Sequence, residues 1–151
     1  MALVKSPWAT GAKPMPLPAG SEVVNVLLEL PVTAAQTALG DVYEMGAIPA
    51  DCVLVDATFA ATDLDTNGSP AHVMTFGTLD AGDIDTALET GIDVGKAGTA
   101  ARLTPTRTTL GTKAGSGADL PVGYKVTTAA ATGAAGTVYL SLSYRAAAHG
   151  A

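Results

Sequence analysis

The sequence predicts an all-β fold: an antiparallel two-sheet sandwich, jelly-roll-like, with about eight strands and an extended N-terminal arm. Three observations lead there. Seven to eight apolar segments of strand length follow one another, separated at short spacing by Gly, Pro, Asn and Asp. No stretch alternates helix with strand, which argues against any α/β layout. The 151 residues suit one domain, expected over 21–146, with an arm over 1–20 and a flexible tail over 147–151.

The arm carries Pro7, Pro14, Pro16 and Pro18, and "KPMPLPAG" favours polyproline II geometry because proline fixes φ and restricts the residue before it. Trp8, the only tryptophan, sits there with Val4, Met15 and Leu17. These four are the expected interface residues. Trp8 either anchors the arm on a partner or folds back onto its own sheet. From Ser21, "EVVNVLLELPV" reads as a strand that Pro31 ends or marks as an edge. "TAAQTALGD" holds a helical turn or a polar loop. "DVYEMGAIP" is a short strand and "DCVLVDATFAA" a longer one, with Val53, Val55, Ala57 and Phe59 on one face.

"DLDTNGSP" then reads as a hairpin turn, with Asn67-Gly68 supplying positive φ, before "AHVMTFGTL". "DAGDIDTALETGIDVGKAGTA" reads as loop with a short helix or strand inside. A weak strand and a long loop over Thr104 to Asp119, expected to order on binding, come next. "VGYKVTTAAATGAAGTVYLSLSYR" reads as a closing hairpin, with Val138, Leu140 and Leu142 alternating against Tyr139, Ser141 and Ser143.

Hydrophobic residues make up 48% of the chain and aromatic ones only 5%, so Val, Leu, Ile and Ala are expected to build a thin core that association would reinforce. Charged residues are 15%, against roughly 25% in an average domain, and a surface so poor in charge suits contact with other protein. Cys52 cannot form an internal disulfide and reads as a core residue. Between Asp41 and Asp93 there are eleven carboxylates and no Lys or Arg, whereas the last third is basic. These regions either meet between copies or mix within one subunit.

Candidate chemistry is sparse. Asp63, Asp65, Asn67 and Gly68 match the first half of a calcium loop, but its twelfth position, where a bidentate Glu is required, is Met74. A turn explains the stretch, and Asp63, Asp65 and Asn67 remain weak candidate Ca2+ ligands that Asp83 or Asp85 would have to complete. No cofactor is otherwise expected. His72 and His149 lack a nucleophile in a recognisable setting, and no GxSxG, HExxH or GxxxxGK occurs, so no catalytic residue is assigned and no enzyme is expected. Basic residues are scattered singly without interleaved aromatics, which argues against nucleic acid as a partner. No apolar stretch approaches the roughly 20 residues of a membrane helix or a secretion signal, so no membrane partner is expected.

The stretch "GDVYEMGAIPADCVLVDATFAATDLDTNGSPAHVMTFGTLD" resembles capsid cement or decoration proteins of tailed bacteriophages, of the Bordetella-phage type. Asp41 to Met45, Ile48 to Ala50, Cys52 to Ala57, Asp63 to Pro70 and Gly77 to Asp80 carry the resemblance. It implies a jelly-roll domain that forms homodimers or homotrimers and clamps the major capsid protein on the outer surface of a virion, after synthesis in the bacterial cytoplasm. It brings no catalytic residue. The alternative from the residues themselves is a calcium-dependent jelly-roll module binding carbohydrate or a host surface.

Overall fold

The computed structural model of the chain describes residues 3–19, 22–103 and 111–147. Nine strands run in order: β1 (Leu3–Lys5), β2 (Val23–Val32), β3 (Val42–Ile48), β4 (Cys52–Ala61), β5 (Val73–Asp80), β6 (Asp83–Ile92), β7 (Ala100–Arg102), β8 (Leu120–Thr128) and β9 (Gly136–Ala146). They form two sheets, β1-β3-β8-β5-β6 and β2-β9-β4-β7. All pairings are antiparallel except β1 on β3. First pairs with last in a nested series, β2 with β9, β3 with β8, β4 with β7 and β5 with β6. That nesting is one long hairpin rolled into a sandwich, the jelly-roll topology.

Every link between consecutive strands crosses from one sheet to the other, save β5 to β6. Two expected hairpins are therefore corrected. The small-residue segment after β8 carries the chain across to β9, in the opposite sheet. "DLDTNGSP" likewise links β4 to β5 across the sandwich, and neither Asn67 nor Gly68 has positive φ. The tight two-residue turn lies instead at Ala81-Gly82, with φ of 50° and 82°, between the paired Asp80 and Asp83. Alternation shows that a segment is a strand, but it does not name the strand's partner.

The stretch expected to be mostly loop is β6, ten residues long. Three register shifts between β5 and β6 break the period of two, and only Leu88 and Ile92 are fully buried, which hides the strand from pattern reading. "TAAQTALGD" contains a 3-10 turn, Ala34–Thr37, and a second, Val94–Lys96, follows β6. The loop expected to order on binding falls partly within the described residues. Thr104–Leu110 lie outside the described residues, but Leu54 and Ala114 amides donate to Thr112 and Cys52 carbonyls along the start of β4.

Aromatic residues, few as they are, fill the centre, which corrects the purely aliphatic core. Tyr43 and Tyr124 stack with ring centroids 4.7 Å apart, and Phe59 meets Tyr124 and Phe76 edge-on at 5.6 and 5.9 Å. Phe59 belongs to one sheet and its two partners to the other, so these contacts clamp the sheets together. Cys52, at the start of β4, is buried in the same core, where burial first, then Asp51 and Asp119, push its thiol pKa up.

Candidate functional site

Asp65 organises one end of the sandwich. Its carboxylate is buried, and Oδ2 accepts the backbone amides of Ala71 (2.7 Å), Ala131 (2.8 Å) and His72 (3.2 Å). Oδ1 accepts those of Thr132 (2.9 Å) and Asn67 (3.4 Å). One side chain thus joins the β4–β5 and β8–β9 crossovers. Burial by itself would raise its pKa, yet the amides of Thr132, Ala71, Ala131 and Asn67 outweigh it and hold the carboxyl well below the usual range.

The D-x-D-x-N spacing that suggested calcium has another cause here. Asp63 accepts the Asp65 amide at 3.1 Å, Asp65 that of Asn67, and Asn67 that of Ser69 at 2.9 Å, three side chains each capping the amide two residues on. The N–H groups converging on Asp65 present positive dipoles where a cation would sit. Asp83, proposed as a completing ligand, follows the β5–β6 turn and pairs instead with Lys125 at 3.0 Å. Among the described residues no three His, Cys, Asp or Glu side chains gather as metal ligands would.

His72 stands beside this node, fully buried, with no partner for either imidazole nitrogen among the described residues. Gly95 lies against the ring; a Cβ there would come within 2.6 Å of Nδ1. Burial pulls the imidazole pKa down, partly opposed by the charge of Asp65. The folded protein therefore holds His72 neutral while the unfolded chain binds a proton near pH 6.5, so stability is lost as pH falls below about 6.5. We expect the melting temperature to fall between pH 7 and 5, and His72→Met to flatten that limb. Asp65, with its lowered pKa, contributes stability above about pH 4 that disappears below it, in both proteins. Melts across pH in wild type and variant would test both limbs; an unchanged slope in the variant would remove His72 as the titrating group.

The four expected interface residues divide. Val4 pairs with Tyr43 in the β1–β3 ladder, and Val4, Trp8 and Met15 pack as half-buried side chains against the core. Trp8 thus turns back onto its own domain, with Lys13 Nζ 4.5 Å from its ring centroid. Leu17 remains 71% exposed. An open cleft of roughly 620 Å3 separates the Trp8–Leu17 segment from Glu44, Ala47, Pro49 and Pro121. Sequence reading missed the other exposed apolar residues, Leu3, Val23, Leu27 and Leu39. The parity of β2 was the available signal, since Val23 and Leu27 share the face opposite Leu28 and Leu30.

The two charge regions meet within one subunit. Lys5 pairs with Glu44 (3.2 Å), Arg102 with Asp56 (3.0 Å), Lys125 with Asp83 and Lys96 with Asp93 (4.0 Å). Each pair has at least one partner well exposed to solvent, which screens it to about 0–1 kcal/mol.

No family model and no curated protein matches the chain. Solved structures do. A chain in the capsid of Ralstonia phage GP4 is 31% identical, superposes with a TM-score of 0.85, and is matched over 97% of this chain and 99% of its own. A chain in the capsid asymmetric unit of cyanophage Pam1 shares the fold, with a TM-score of 0.63 at 22% identity over 87% of this chain and 90% of its own.

Proposed function

We propose a specific role from the premise that this chain belongs to the family of phage capsid-related proteins represented in the Ralstonia phage GP4 capsid, and is a virion structural protein. The role is that of a cement or decoration protein, which binds the outer surface of the shell and stabilises contacts between major capsid subunits. The observation that carries it is a 31% identical likeness to a capsid chain that runs nearly end to end in both proteins. Physical features agree. Asp65, the most heavily hydrogen-bonded polar side chain at the loop end, is spent on holding the fold together, so its chemistry is structural. The surface is poor in charge and displays Leu17, Leu27 and Leu39, which suits repeated modest contacts over many copies on a lattice. No helix among the described residues is long and apolar enough to cross a membrane.

The test uses shells of the parent phage assembled without this protein. Added back, the purified chain should co-sediment with them to saturation and raise the temperature at which the shells rupture. Shells that neither bind it nor gain heat resistance would overturn the cement role while leaving a virion role elsewhere.

A further inference from the structure

We infer that β2 is a self-association edge, pairing antiparallel with β2 of a second copy about a two-fold axis at Leu27. The two sheets have four edges, and three are protected. β1 and β7 are three residues long, and β6 carries Asp83, Asp85 and Glu89 along its length. β2 is ten residues long and pairs only with β9. Among the described residues its other side makes no backbone hydrogen bond, although Met15 of the arm lies near Leu28. Its outward side chains include Val23 and Leu27, 47% and 52% exposed, which a soluble edge strand ordinarily avoids.

The occupant follows from the order of residues along β2. With Leu27 opposite its own copy, Asn25 faces Glu29, Val23 faces Pro31, and Val26 faces Leu28. Every apolar residue meets an apolar one, each Glu29 carboxylate meets an amide that can donate to it, and no like charges stand opposed. A two-fold interface requires such self-complementarity, and β2 has it. Pro31, which has no N–H to give, falls at the end of the pairing, where its loss to the ladder is smallest. The result would be one eight-stranded sheet across two subunits. This pairing does not depend on the capsid reading, although a dimer would double the contacts each bound unit makes.

Light scattering on the full chain should give twice the 15.0 kDa subunit mass. Leu27→Lys and Leu27→Glu should each be monomeric with unchanged circular dichroism, because the two-fold sets like charges against each other. An equimolar mixture of the two should regain the dimer. Leu39→Lys, also an exposed leucine but off β2, should leave the mass unchanged. A monomeric wild type, a trimer, or a dimer indifferent to both Leu27 variants would overturn the assignment. So would a monomeric wild type that loses shell binding on Leu27→Lys, since the edge would then take a capsid strand. Failure of the dimer with shell binding intact leaves the cement role standing.

Discussion

Asp65→Ala is expected to lower the melting temperature by about 10 °C or more, the largest effect of any single polar substitution in the molecule. The reason is local. Five backbone amides that now end on one carboxylate would be left in a pocket the folded chain closes to water, and an unmade buried hydrogen bond is costlier than the net gain from a made one. Asp65→Asn should fare little better, because its NH2 group would point hydrogen at donors. Asp63→Ala loses one cap, and Asn67→Ala one cap and the bond from its side-chain amide to the Thr132 hydroxyl; each should cost only a few degrees, about 1 kcal/mol or less. The wild-type melt should ignore a calcium chelator. If chelation lowers it as far as Asp65→Ala does, the carboxylate is a cation ligand and the hydrogen-bonded description is wrong.

The same residue explains what the sequence could and could not tell. "DLDTNG" was legible as a place where side chains serve the backbone, since Asp and Asn at alternate positions cap the amides two residues on. Its true partner was not legible. Ala131 and Thr132 lie more than sixty residues away in a segment of alanine, threonine and glycine that carries no signal of its own. The jelly roll was legible from strand number and spacing, and β9 from its clean alternation. β6 was not, because bulges shift its register and its solvent side is acidic. The expected hairpins failed for a related reason: in a rolled hairpin, neighbours in sequence cross between sheets, and neighbours in space come from opposite ends of the chain.

The arm is the other element whose role sequence alone left open, and its removal should produce the second large effect. A chain beginning at Ala19 would lose the β1 strand, the half-buried Val4, Trp8 and Met15, and Ser6, whose hydroxyl and amide bond the Met45 and Glu44 carbonyls. It would also lose the Pro16 carbonyl that accepts the Tyr144 hydroxyl, whose pKa burial first, then Cys52, push up to about 12. Burying a large apolar side chain contributes about 1.5–3 kcal/mol, so three half-buried ones together contribute about 3 kcal/mol, and the truncated domain should melt about 10 °C lower. An arm serving only as a strap to neighbours would behave differently: truncation would abolish shell binding and leave the melt unchanged. Single substitutions separate the two contributions. Trp8→Ala should destabilise the isolated protein, because the indole packs on its own sheet. Leu17→Asp should leave the melt alone and weaken shell binding, because the Leu17 side chain is largely exposed. If Leu17→Asp binds shells as tightly as wild type, the arm belongs to the fold and the contact with the capsid lies on another face.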